Sequence, residues 1–113
     1  MTQESFEEQI TKDNKAQWIV SFEFIKDINR ITIGLTHDTE NFEIEQNLIF
    51  NNVESLNSDW HDRDDNCIDT IYSANEEFNL EKFNYYFHTD QREIFIRTID
   101  KVIIEYLSKK RVK

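Results

Sequence analysis

Asp90-Gln91-Arg92-Glu93-Ile94-Phe95-Ile96-Arg97-Thr98-Ile99-Asp100-Lys101-Val102-Ile103-Ile104-Glu105-Tyr106-Leu107 is the stretch on which the fold class turns. Asp90 and Glu93 stand three residues apart, the spacing of a capping box in which each side chain satisfies a free backbone N–H at a helix start. Behind them Ile94, Phe95, Ile99, Val102, Ile103, Tyr106 and Leu107 recur at helical spacing. That pattern predicts a long amphipathic helix ending near residue 108. Lys109, Lys110, Arg111 and Lys113 follow, where positive charge suits the negative end of the helix dipole.

Upstream the pattern shifts to period two. Phe83, Tyr85 and Phe87 alternate and predict a strand, and Cys67-Ile68-Asp69-Thr70-Ile71-Tyr72 is rich in strand formers, with a short helix as its competitor. Strand and helix both remain open across 67–88. Polar residues from Asn75 to Glu81 are expected to interrupt it. Nearer the N-terminus, Trp18, Val20, Phe22 and Phe24 fall on one face of residues 17–25, with Gln17, Ser21 and Glu23 on the other. Asp27 to Arg30 supplies a turn, after which Ile31, Ile33 and Leu35 align, so a β-hairpin is predicted with Gly34 at a bulge or a close backbone approach. After a polar turn at His37–Asn41, Phe42 to Glu45 alternates again and Leu48-Ile49-Phe50 extends it, completing an antiparallel meander. Residues 51–66 are expected to form a polar loop, and Phe6 with Ile10 suits a short amphipathic helix within 2–14. The expected architecture is one α+β domain over 1–113, an antiparallel sheet of about five strands packed on the C-terminal helix.

Composition narrows the function. Apolar residues make up 38% of the 113, yet aromatics reach 13%, enough apolar area to argue for a folded chain over a disordered acidic one. There is no proline and one glycine, Gly34, which excludes a phosphate-binding loop, a dinucleotide fingerprint and a nucleophile elbow. Cys67 is alone, so neither an internal disulfide nor a multi-thiolate zinc site is available. The N-terminus lacks a basic region followed by an apolar run, and no apolar run approaches the ~20 residues needed to span a bilayer. A soluble, cytoplasmic protein is expected.

The main functional signal is charge. The chain carries a net −10, and residues 38–81 hold thirteen acidic side chains against one basic, Arg63. Such self-repulsion weakens a compact fold and creates a negative field reaching ~8 Å at physiological salt. Asp59, Trp60, Asp62, Asp64 and Asp65 concentrate it around one aromatic, and Asp69, Tyr72, Glu76 and Glu77 continue it. These nine residues are the candidate partner-binding set, since a large rigid side chain among charges is the usual anatomy of a binding hot spot. An equal alternative has Trp60 anchoring its own loop on the core, whereas Trp18 belongs to the apolar stripe.

Other chemistries are weaker. The Asp59–Asp65 loop with His61 offers oxygen and imidazole donors but lacks the EF-hand spacing, so no metal is assigned. His37-Asp38 and His61-Asp62 lack the further ligands of a metal phosphohydrolase, and Cys67 in an apolar strand reads as a buried thiol. The terminal basic cluster is a poor footprint for a polyanion on so acidic a chain. No catalytic residue or cofactor is assigned, and neither enzymatic activity nor direct contact with nucleic acid or membrane is expected.

In length, acidity and strand-and-helix pattern, and in the acid-and-Trp60 segment from Asn57 to Asn66, the chain resembles the small acidic immunity proteins of bacterial polymorphic and contact-dependent toxin systems. That resemblance implies a cytosolic inhibitor of a basic toxin domain, with a nuclease as the expected kind. A phage-type acidic DNA mimic is the alternative, and a small metal-dependent enzyme a more distant one. Reversing Asp62, Asp64 and Asp65 together to Lys is expected to slow association with a basic partner and flatten its salt dependence in stopped-flow measurements. An unchanged on-rate at low salt removes this loop from the account.

Overall fold

Strand alternation, not helical spacing, organises the C-terminal part of the chain. The structure is a computed structural model and describes residues 6–10, 17–36, 43–58, 69–90 and 92–107. Within them lie one short helix, α1 (Phe6–Ile10), and eight strands: β1 (Gln17–Ile25), β2 (Arg30–Thr36), β3 (Gln46–Phe50), β4 (Val53–Ser58), β5 (Asp69–Asn79), β6 (Lys82–Thr89), β7 (Glu93–Thr98) and β8 (Ile103–Tyr106). All eight join one antiparallel sheet in the order β4-β7-β6-β5-β1-β2-β3-β8. The expected α+β class is therefore corrected to a nearly all-β fold, and the C-terminal helix is replaced by β7 and β8.

The physical reason lies in residues that serve both periods. In β7, Ile94, Ile96 and Thr98 are buried while Glu93, Phe95 and Arg97 are exposed. The helical set leaves out Ile96, which alternation requires. Ile94, Ile96, Thr98, Ile99, Val102, Ile103 and Ile104 are also β-branched, and their stiff side chains fit a pleated surface better than a helix. Asp90 caps no helix. Its carboxylate accepts the Thr70 N–H at 3.0 Å and its own N–H donates to the Thr70 carbonyl at 3.0 Å, which ties the β6–β7 turn to β5.

Two further expectations change. Residues 53–58, inside the expected polar loop, form β4 on the sheet edge, where a bulge between Val53 and Ser55 hides the alternation. The expected break at Asn75–Glu81 is mostly strand. Asn75 and Glu77 face outward and stay solvated, and the turn falls at Leu80-Glu81. β1 and β2 do form the expected hairpin, closed by a 3-10 turn at Lys26–Ile28 and by Asn29 in the left-handed region. A bulge between Ile19 and Ser21 shifts the inward face, so Ile19 is fully buried, Trp18 and Val20 are half-buried and Phe24 is exposed. Gly34 lies opposite this bulge. A Cβ there would meet Ser21 Oγ at 2.6 Å and Ile44 Cδ1 at 2.9 Å, so close approach is what glycine provides.

Only Asn51 and Asn52 link β3 to β4, although these strands are far apart in the sheet order. The sheet must therefore curl back on itself. The closure is visible where Asn29 O accepts the Val53 N–H at 3.0 Å and Asn52 O accepts the Ile99 N–H at 3.1 Å. Inside the curl, Tyr85 and Phe87 of β6 meet Phe50 of β3 (ring centroids 5.0 and 6.3 Å) and Phe6 of α1 (5.1 and 5.6 Å). α1 is too short to hold itself together, because helix nucleation is costly. Its position comes from burying Phe6 and Ile10, from Glu7 accepting the Ala74 N–H, and from Gln9 O accepting the Gln46 amide. No helix among the described residues is long and apolar enough to cross a membrane.

Tyr85 is the polar pin of this core. Its hydroxyl donates to Glu76 Oε2 at 2.9 Å and accepts the Val102 N–H at 2.7 Å, fastening the segment between β7 and β8. Burial pushes the phenol well above the ordinary tyrosine range; the Val102 N–H opposes this and the Glu76 carboxylate adds to it. With the folded value raised, the associated stability is complete below the ordinary value of 10.0 and falls as pH rises past it. Tyr85→Phe strands the Val102 N–H, so a loss of about 1–3 kcal/mol is expected in urea denaturation at neutral pH. The variant should also show a smaller loss of stability above pH ~10 than the parent, since this proton linkage is removed.

Candidate functional site

β6 turns one face to the core and the other to solvent, and the strand registers assemble the solvent side into rows. Asn75 of β5 pairs with Tyr86 of β6, Tyr86 with Phe95 of β7, and Phe95 with Asn57 of β4. On one side of this central row lie Glu77, Asn84, Arg97 and Ser55, and on the other Ser73, His88 and Glu93. Side chains two apart on a strand share a face, so these groups form one continuous outer surface.

Its centre is the Tyr86–Phe95 pair, with ring centroids 5.4 Å apart and planes at 75°, the edge-to-face geometry that ring quadrupoles prefer. The Tyr86 hydroxyl donates to Glu77 Oε1 at 3.1 Å. Partial desolvation raises the Tyr86 phenol above its ordinary value, the Glu77 carboxylate adds to the rise, and Arg97 opposes it. Arg97 is itself oriented by its Nε–H, which donates to Asn84 Oδ1 at 2.9 Å. At the far end Tyr72 lies against His88, ring centroids 5.9 Å apart, and His88 Nδ1 stands 3.6 Å from Glu93 Oε2. Both members of that last pair are exposed, so it contributes orientation more than energy.

Two shallow hollows flank the aromatic pair. One, about 240 Å³, lies between Tyr86, Phe95, His88 and Glu93; the other, about 160 Å³, lies between Tyr86, Phe95, Asn84 and Arg97. Both fall below the ~300–1,000 Å³ typical of small-molecule pockets. Their scale suits side chains of a docked protein. The face combines rigid aromatic area with carboxylates and amides, the means of directional protein contact.

The sequence-derived residues divide clearly. Asp59, Trp60, Asp62, Asp64 and Asp65 lie outside the described residues, as do His37, His61 and Cys67. Asp69 opens β5 opposite Ile19. Glu77 lies on the outer face and exposed Tyr72 at its far end, whereas Glu76 points to the inner side and accepts the Tyr85 hydroxyl. Sequence reasoning missed Tyr86, His88, Glu93, Phe95 and Arg97. The missed signal was the alternation of Glu93, Phe95 and Arg97 against Ile94 and Ile96, which puts Phe95 among charges rather than in an apolar stripe.

No protein-family model matches the sequence, and no curated protein matches it. Among solved structures, the chain is similar to an uncharacterized protein from Neisseria gonorrhoeae, at 15% identity and a TM-score of 0.52, covering 82% of this chain and 93% of that one. The likeness is one of fold.

Glu77→Gln is expected to bring the Tyr86 phenol down toward the ordinary tyrosine value, read by NMR titration of labelled tyrosines. A Tyr86 titration that does not move shows that the Glu77 contact does not form in solution.

Proposed function

We propose that the protein is a binding inhibitor of the immunity type, which engages a basic toxin domain and occludes it. The supporting observation is the outer sheet face: a preorganised aromatic centre, Tyr86 and Phe95, held among Glu77, Glu93, His88, Arg97 and amide side chains. It belongs to a chain of net −10. A nuclease is the favoured target, because its substrate-binding cleft carries Lys and Arg for phosphates and is complementary to this charge. Electrostatic attraction raises the encounter rate and the aromatic centre slows release. In this reading the acid-rich segment around Trp60 adds to the negative charge that attracts the partner, the protein acts in the cytoplasm, and it has no catalytic role of its own.

The test uses a purified basic nuclease domain encoded beside the gene. Stoichiometric inhibition of its activity is expected, with an association rate that falls about tenfold or more from low to physiological ionic strength. Tyr86→Ala with Phe95→Ala should raise the dissociation rate about tenfold or more while the melting temperature shifts little. Absence of inhibition at stoichiometric ratios overturns the proposal.

A further inference from the structure

Four described residues other than glycine adopt positive φ: Asn29 (50°), Asn52 (53°), Leu80 (55°) and Glu81 (65°). Asparagine tolerates this region because its short amide bonds the local backbone, and the fold uses it at the first two positions. Leu80 and Glu81 depart from that rule. They form the two-residue turn between β5 and β6, where consecutive left-handed residues match the strand twist and Asn-Gly is the favoured pair. A leucine there strains the backbone, and burial does not compensate, since Leu80 is 85% exposed. The hairpin holds an apolar side chain in water on a backbone conformation that disfavours it.

The surroundings make the tip a rigid knob. Phe78 is 62% exposed and rests against Phe83 at 4.7 Å between ring centroids, which stiffens the stem. Lys82, beside the turn, is held by both carboxylate oxygens of Glu54 at 2.7 and 2.9 Å. The exposed carboxylate of Glu81 then leaves the rim of the knob acidic. A second copy of the chain is a poor occupant, because two bodies of net −10 repel. An apolar socket bordered by basic side chains is complementary in both respects.

The geometry points to the Leu80 hairpin tip as a second docking element, inserting Leu80 and Phe78 into an apolar, basic-rimmed socket on the partner protein. This inference rests on the proposed binding of a basic toxin domain, and adds to it an apolar anchor separate from the Tyr86–Phe95 centre. Backbone strain at Leu80 is tolerated in the free protein because the side chain is used in the complex.

Leu80→Asn separates the two roles, since asparagine suits the left-handed turn and removes the knob. Melting temperature, sedimentation velocity and binding to the purified nuclease domain are measured for the parent, Leu80→Asn and Leu80→Met. The expected result is a higher melting temperature for Leu80→Asn, at least tenfold weaker binding, and near-parental binding for Leu80→Met. Tighter folding with unchanged binding overturns the tip while leaving the basic-partner reading intact. A lower melting temperature for Leu80→Asn makes Leu80 structural and overturns it as well. A parent that dimerises while Leu80→Asn stays monomeric replaces the partner with a second copy and overturns the proposal. A parent that fails to bind the nuclease domain removes both readings together.

Discussion

The link Asn51-Asn52 is the constraint on which the rest of the fold depends. It joins β3 to β4 in two residues, although five strands lie between them in the sheet order. A flat sheet cannot satisfy that distance. Right-handed twist and the bulges in β1, β4 and β5 allow the sheet to curl, since each bulge bends its strand and increases local twist. Asn52 is suited to the link because it accepts a left-handed backbone while its carbonyl receives the Ile99 N–H. Closure places the aromatic rings of β6 opposite those of β3 and α1, and a core of Phe6, Phe50, Tyr85 and Phe87 results.

Closure also decides what β6 shows to solvent. Its inward residues are committed to the core, so Asn84, Tyr86 and His88 alternate outward and meet the outward residues of β5 and β7. The outer face is thus the reverse side of an aromatic core strand. Tyr85 and Tyr86, adjacent in sequence, have opposite duties. Tyr85 bonds Glu76 and Val102 inside the curl, and Tyr86 bonds Glu77 on the face. Glu76 and Glu77 separate in the same way, one into structure and one onto the outer face. The strand period of two distributes neighbouring residues of one chemistry between the core and the surface.

The Tyr86–Phe95 pair and the Leu80 turn differ in how they are built. The Tyr86–Phe95 centre sits on paired strands outside the left-handed region and is held by neighbouring side chains, whereas the Leu80 tip sits on two left-handed residues. Paired strands keep a site rigid without backbone strain. A turn that holds leucine where asparagine is preferred costs stability.

Much of this was legible from the residues alone. The β1–β2 hairpin and the special role of Gly34 follow from alternation and backbone preference, while alternation at Phe83, Tyr85 and Phe87 suggested a strand without deciding between strand and helix across 67–88. The C-terminal stretch was not, because Ile94, Phe95, Ile99, Val102 and Ile103 satisfy helical spacing while Ile94, Ile96 and Thr98 satisfy alternation. Only pairing with β6 and β3 selects between them. β4 was hidden for a related reason: an edge strand with a bulge buries few side chains and carries a weak pattern. The sequence by itself determined the net charge, the absence of glycine-dependent phosphate sites and most local strand preferences, since these depend on residue identity and near neighbours. The tertiary structure decided which of two compatible periods prevails and which of two adjacent glutamates faces outward. Both depend on long-range hydrogen bonding and on the direction in which the sheet curls, and neither is encoded in local spacing.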